Sequence, residues 1–191
     1  LVADKPHFLP VMPAGDYAEE TLLTRLVRET GNPHLAPLHR IDRHTAGLVL
    51  FSTTPASRGA YQALFRERRI DKRYQAIAPA LPQYDFPLRR HSRLEKGEPF
   101  FRMHEVPGEP NAHTRIDILE IAAPWARYRL EPITGKRHQL RVHMLSIGHP
   151  LLGDGLYAHE QALAAWPRLC LHASMLSLTH PQTGERLRFE C

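Results

Sequence analysis

The chain's most apolar stretch, Leu48-Val49-Leu50-Phe51, is a continuous run of the length that fills a sheet interior, and Gly47 before it permits a tight entry from the preceding polar loop. Elsewhere the spacing changes. Leu22, Leu23, Leu26 and Val27 recur at helical intervals, so a helix is expected over Glu19 to Glu29, stopped by Gly31. Thr54-Pro55 supplies a hydroxyl N-cap with proline at the first helical position, and Ala60, Leu64 and Phe65 give the following helix an apolar face. That helix ends in Arg66, Arg68 and Arg69, which suit either a solvated helix end or phosphate contact.

Leu1 to Pro13 and Asp71 to Pro79 read as extended. His113 to Ile121 and Trp125 to Leu130 alternate, with Ile116 and Ile118 on one face of the first and Ala126, Tyr128 and Leu130 on one face of the second, which predicts an antiparallel pair. Leu81 to Pro110, rich in Pro, Arg and His, reads as a meander with surface loops and carries no assigned chemistry. After Thr134-Gly135 a helix is expected, stopped by Gly148 and Pro150. On it Leu140, Met144 and Ile147 share one stripe while Arg137, His138 and Arg141 share another, free to face a site while the apolar stripe is packed. Gly153-Asp154-Gly155 lacks the spacing of a phosphate loop and reads as a tight turn. Pro181-Gln182-Thr183-Gly184 joins Met175 to Thr179 and Arg186 to Phe189 as a hairpin.

At 191 residues the chain suits a single domain with a full core, and the run Leu1-Val2-Ala3-Asp4-Lys5-Pro6 reads as a strand entered midway, so further sequence is expected before Leu1. With 42% apolar and 24% charged residues and no long uncharged apolar run, a globular protein without a membrane span is expected. Cys170 and Cys191 form no metal or redox spacing, which fits a reducing, cytoplasmic setting. A net charge of +5, carried mostly by arginine, favours a polyanionic partner, and planar guanidinium groups favour RNA.

The segment with chemistry in it is Leu38-His39-Arg40-Ile41-Asp42-Arg43-His44-Thr45-Ala46-Gly47-Leu48. Asp42 is set among cations on a loop that feeds a buried strand, so it is expected to be an anion at neutral pH, a nucleophile or an anchor before a proton donor. His39-Arg40-Ile41-Asp42-Arg43-His44-Thr45-Ala46-Gly47 resembles the signature of the RluA family of pseudouridine synthases, His-Arg-Leu-Asp-x-x-Thr-Ser-Gly, with Ile41 and Ala46 as shape-preserving departures. Further runs resemble the family in its own order. Val2 to Pro6 is similar to its opening strand ending in Lys-Pro, although Phe8 stands where glycine is common. Lys72-Arg73-Tyr74 is similar to its Lys-x-Tyr motif. Pro132-Ile133-Thr134-Gly135-Lys136-Arg137-His138-Gln139-Leu140-Arg141-Val142-His143 is similar to Pro-x-Thr-Gly-Arg-x-His-Gln-x-Arg-x-His, with Lys136 in place of arginine. Leu151 to Tyr157, Leu171-His172-Ala173 and His180 to Glu185 continue the likeness.

The resemblance implies an α+β fold built on a mostly antiparallel mixed sheet with flanking helices and a catalytic cleft. It implies an RNA pseudouridine synthase, an isomerase acting on structured RNA, with ribosomal RNA ahead of transfer RNA as the target. It implies Asp42 as the nucleophile, Tyr74 stacking on the uracil, Arg141 pairing with Asp42, Arg40 filling the space left by a flipped uridine, and Leu171 walling the pocket. The isomerisation needs no redox change and no external atom, so no cofactor and no metal are expected, and the chain is expected to act as a monomer with RNA as its partner. Two other classes fit part of the sequence. A histidine-dependent metal hydrolase would draw on the 13 histidines, but His138 and His143 are five residues apart and do not share a helix face. A non-catalytic RNA-binding module fits the charge but leaves the positions of Asp42, Tyr74 and Arg141 unexplained.

Overall fold

A computed structural model of the protein describes residues 1–13, 19–158 and 161–191. In chain order the elements are β1 (Val2–Lys5), α1 (Leu22–Thr30), β2 (Ala36–Pro37), β3 (Ala46–Ser52), α2 (Pro55–Arg66), β4 (Ile70–Pro79) and β5 (Leu88–Lys96). They continue as β6 (Met103–Val106), β7 (Ala112–Ala122), β8 (Trp125–Pro132), α3 (Gln139–Ser146), α4 (Gln161–Ala164), β9 (Leu171–Thr179) and β10 (Arg186–Glu190). The α+β class that the resemblance implies is the class observed. The chain forms two compact units, Leu1–Lys72 with Ala173–Cys191, and Arg73–His172, and it passes between them within β4 and again within β9.

In the first unit β3 is buried along its whole length, which is why its sequence is continuously apolar rather than alternating. Its residues divide by parity. Leu48 and Leu50 pack with Leu38, Leu64, Ile70, Leu176 and Leu178, while Val49 and Phe51 pack with Leu9, Val11, Leu22 and Leu35. β1 runs antiparallel to β3 with Val2 opposite Leu50 and Lys5 opposite Gly47, and β2 is antiparallel to the far end of β3, with Ala36 opposite Ser52. β9 also lies beside β3, and the expected hairpin joins β9 to β10, Arg186 opposite Thr179. Gly47 (φ 108°) has a reason beyond its turn: a Cβ there would stand 2.4 Å from the Ala173 carbonyl oxygen, so β3 and β9 approach closely only because the side chain is absent.

α1 begins three residues later than its periodicity suggests, because Thr21 and Thr24 close a reciprocal cap: the Thr21 hydroxyl accepts from the Thr24 N–H and the Thr24 hydroxyl from the Thr21 N–H. Gly31 ends it in the left-handed conformation, as expected. Thr54 does precede α2, but its hydroxyl makes no cap hydrogen bond and contacts the Ser57 hydroxyl at 2.9 Å. Ala60 is exposed, so the buried side of α2 is formed by Leu64 with half-buried Tyr61 and Phe65.

The second unit orders its strands β4-β8-β7-β5-β6, each described pair antiparallel. The β7 and β8 alternation is as read from the sequence: Ile116, Tyr128 and Leu130 are fully buried beside Ala126, with Ile118 packed against the same cluster. Leu81 to Pro110 contains more structure than expected. β5 buries only Ser92 and Leu94 along its length and turns Arg89, His91, Glu95 and Lys96 to solvent, so it offers little apolar alternation to read. Leu140, Met144 and Ile147, the apolar stripe of α3 and the residue after it, pack on the strands with Leu151, Leu169 and Leu171. Among the described residues no helix is long and apolar enough to cross a membrane.

Candidate active site

Asp42 lies in the first unit on the turn that leads into β3, with its side chain half-buried. The turn is closed by the Thr45 N–H donating to the Asp42 carbonyl at 3.0 Å. Its backbone is then held from the end of β1 and the residues after it: the Lys5 ammonium donates to the Arg43 carbonyl at 3.1 Å, and the His7 Nδ1–H donates to the His44 carbonyl at 2.7 Å. Arg43 returns the contact, its Nε–H donating to the Phe8 carbonyl at 3.1 Å. These bonds explain why a Lys-Pro run so distant in sequence accompanies the Asp42 motif. Phe8, at the position where glycine is common, adopts φ 65°, the left-handed region that glycine enters without strain.

On the other side of Asp42, His39 is structural. Its Nε2 accepts the Leu50 N–H at 3.0 Å and so stands in for a strand carbonyl just after β2, while its ring stacks on Phe65 at 4.8 Å. Burial pushes this imidazole down to about 3, with the Lys72 ammonium adding to the shift, so it stays neutral and accepts. Lys5 is fully buried; burial pushes its ammonium down to about 8 against the opposing pull of the Asp42 and then the Asp4 carboxylate. Asp42 is therefore within electrostatic reach of a buried lysine, a feature the sequence motif does not announce. Arg40, two residues before Asp42, is exposed and makes no hydrogen bond or ion pair among the described residues.

Arg141, Tyr74 and Leu171 belong to the second unit. The expectation of a basic stripe formed by Arg137, His138 and Arg141 on one helix is corrected by the structure. α3 starts only at Gln139; Arg137 precedes it and is exposed, and His138 occupies the left-handed N-cap position (φ 52°) with its ring buried. The helix has no solvent stripe over most of its length, since Gln139 to Met144 are all buried. What makes that possible is polar satisfaction of each buried group. The Gln139 carboxamide accepts from the Thr134 hydroxyl and the Lys136 N–H and donates to the His113 carbonyl and the Thr114 hydroxyl, at 2.8 to 3.0 Å. His143 lies between the Ser92 and Thr114 hydroxyls at 3.1 and 2.8 Å, and burial pushes it down to about 4. Much of the Thr134 to His143 motif thus builds a platform for the helix rather than contacting a ligand.

Arg141 is 2% exposed and meets Asp154, 0% exposed, in a two-point ion pair: Nε–H to Oδ2 at 2.9 Å and Nη2–H to Oδ1 at 2.5 Å. Gly153-Asp154-Gly155 is a turn, as expected, but the importance of its aspartate was missed by sequence reasoning. The only available signal was an acid between two glycines in a run that follows the family. Tyr74 is half-buried on β4 and packs against the cluster that contains Leu140, Met144 and Leu171. Leu171, expected at a pocket wall, is a buried member of that same cluster. Tyr74 and Leu171 are therefore brought to one apolar layer, under the helix that carries Arg141. His143 has both ring nitrogens hydrogen-bonded to protein hydroxyls, which removes it from the ligands a metal-hydrolase reading would draw on.

Residues 1–146 match the model of the RNA pseudouridylate synthase family. The dual-specificity RNA pseudouridine synthase RluA of Escherichia coli (strain K12) is 38% identical over 197 residues, a match covering 100% of this chain and 87% of that protein. The protein of the same name from Haemophilus influenzae is 36% identical, covering 98% and 86%. Among solved structures, human RNA pseudouridylate synthase domain containing 1 aligns with a TM-score of 0.83 at 25% identity over 100% of this chain and 78% of that one. Human RNA pseudouridylate synthase domain containing 4 aligns with a TM-score of 0.73 at 29% identity, covering 100% and 84%. With a family match over most of its length and full-length relatives above one-third identity, this chain belongs to the RNA pseudouridylate synthases, isomerases that convert uridine to pseudouridine in RNA.

Proposed function

We propose that the chain isomerises a uridine in structured RNA, with Asp42 as the nucleophile. In the overall reaction the bond from uracil N1 to ribose C1′ breaks, C1′ joins uracil C5, and the proton displaced from C5 is balanced by one gained at N1. The step needs an anion that can attack or take a ribose proton, and a surface that retains the detached base while it turns. Asp42 serves the first need. Tyr74 stacks on the uracil, Leu171 backs it, and Arg141 orients the Asp42 carboxylate. The observation that carries this reading is the pinned turn at Asp42: its backbone is fixed by Thr45 and, through Arg43 and His44, by Lys5 and His7, so the carboxylate sits on a rigid support. Its place in the family's motif supports the role further.

Arg40, exposed and unengaged beside that turn, is the group we assign to the space left by a flipped uridine. The relatives' name, dual-specificity, supports a domain that serves more than one RNA. Ribosomal RNA is the first target and transfer RNA the second, both met in the cytoplasm by a monomer. Extruding a stacked base costs a few kcal/mol, and much less when the base is already unstacked. Arg40→Ala should therefore slow single-turnover tritium release from C5-labelled uridine in a stem-loop far more than in a flexible strand of the same sequence context. Equal losses on both, with a shallower salt dependence, would make Arg40 a phosphate clamp instead. Mapping pseudouridines in ribosomal and transfer RNA after incubation with the enzyme decides the target.

A further inference from the structure

We infer that Asp154 is the positioning residue for Arg141: it fixes the plane and direction of the guanidinium, so that the arginine meets the reacting uridine's site already oriented. The inference rests on the reading of Arg141 given above. It adds a residue that the family motif around Arg141 does not contain.

The geometry is specific. Asp154 takes the side of the guanidinium formed by Nε and Nη2, with one carboxylate oxygen on each, and the end that carries Nη1 is directed away from it. Two-point contact of this kind fixes a planar cation in rotation as well as position. The carboxylate is itself immobilised. Its Oδ1 also accepts the N–H groups of Leu156 and Tyr157, at 3.1 and 3.3 Å, and the backbone of Asp154 is tied on both sides, its N–H to the Leu151 carbonyl and its carbonyl to the Ala158 N–H. Gly153 cannot be replaced in this turn without displacing it, since a Cβ there would meet the Arg168 carbonyl oxygen at 1.9 Å.

The face of the guanidinium is fixed as well. Tyr157 places its ring 5.0 Å from Arg141 Cζ. Its hydroxyl accepts the Met103 N–H at 2.8 Å and shares a hydrogen bond with His138 Nδ1 at 2.7 Å, which holds the ring at both partners. Arg141 is thus held at an edge by Asp154 and on a face by Tyr157. With its charge balanced by Asp154, what the arginine offers to a second anion is direction more than net charge.

The test is a double-mutant cycle read in single-turnover rate at saturating RNA, alongside RNA affinity and melting temperature. Asp154→Asn keeps the shape and removes one acceptor, so it should lower the rate by about 10- to 100-fold, in the range that small misplacements of a working group produce, with RNA Kd unchanged within about 3-fold. In an Arg141→Lys background, which has already lost the planar fork, the same change should cost less than about 3-fold. Additive losses in the two backgrounds, or a wild-type rate in Asp154→Asn, would overturn the inference, because a merely structural role acts regardless of what stands at position 141. Asp154→Glu guards against a folding defect: it retains the charge but displaces the carboxylate, and a wild-type rate in that variant also overturns the inference. Asp42→Asn, run in the same assay, separates the two readings. Turnover in that variant would remove Asp42 as the nucleophile while leaving the Arg141–Asp154 cycle interpretable.

Discussion

The Asp42 turn and the Arg141 platform are held by different means. Around Asp42 the fixed groups are backbone carbonyls, reached by Lys5 and His7 from 38 and 37 residues earlier, and Asp42 itself is half-buried. Around Arg141 the fixed groups are side chains, buried and paired: Asp154, Tyr157, Gln139 and His143. On the proposed roles, the nucleophile sits on a backbone that other groups hold in place, and the orienting arginine is fixed through its side chain.

That contrast predicts unequal responses to substitution. The largest stability effect should come from Asp154→Ala, which leaves a buried guanidinium without its carboxylate and should cost about 3 to 5 kcal/mol in denaturant unfolding. Asp42→Asn should cost less, because it keeps the side chain's size and leaves the turn's backbone hydrogen bonds in place. Equal losses for the two would break the comparison.

The next effect concerns Lys5. Its ammonium ordinarily titrates at 10.5 and in the folded protein at about 8, so between those values the unfolded chain binds more protons and stability should rise with pH; below about 8 the lysine is charged in both states and its burial is a standing cost. Asp42→Asn removes the carboxylate that opposes the shift, so the Lys5 midpoint should move below its wild-type value. An NMR titration of the lysine Nζ or Cε checks this, and an unmoved midpoint would show that Asp42 does not act on Lys5. The smallest effect is at Phe8. Phe8→Gly relieves a left-handed backbone at about 1 kcal/mol but loses the edge contact of the ring with His44, at 5.7 Å, so a gain of no more than about 1 kcal/mol in chemical denaturation is expected. A clear loss would mean the ring contact outweighs the backbone strain.

The two regions also differed in how far the sequence disclosed them. β3 follows from its continuous apolar run, β7, β8, α1 and α2 from burying one parity or one stripe, and the final hairpin from its Pro-Gln-Thr-Gly turn. Asp42 was legible because its motif is contiguous. The basic stripe expected of Arg137, His138 and Arg141 is absent from α3, because Arg141 and His138, like Gln139, read as solvent residues until their partners are known. Those partners, Asp154, Tyr157, Thr114 and His113, come from other strands and turns, and no local spacing connects them. The polar strand β5 was passed over for a related reason: its outward side chains carry charge and its inward ones include Ser92, whose place is set by His143.

The most direct test of the account is Asp42→Asn in a tritium-release assay on C5-labelled RNA. The substitution keeps the shape of the side chain and removes its charge, and the turn that carries it is held by other atoms. The account predicts RNA binding within about 3-fold of wild type and no detectable pseudouridine. Measurable turnover by the purified, folded variant would contradict it.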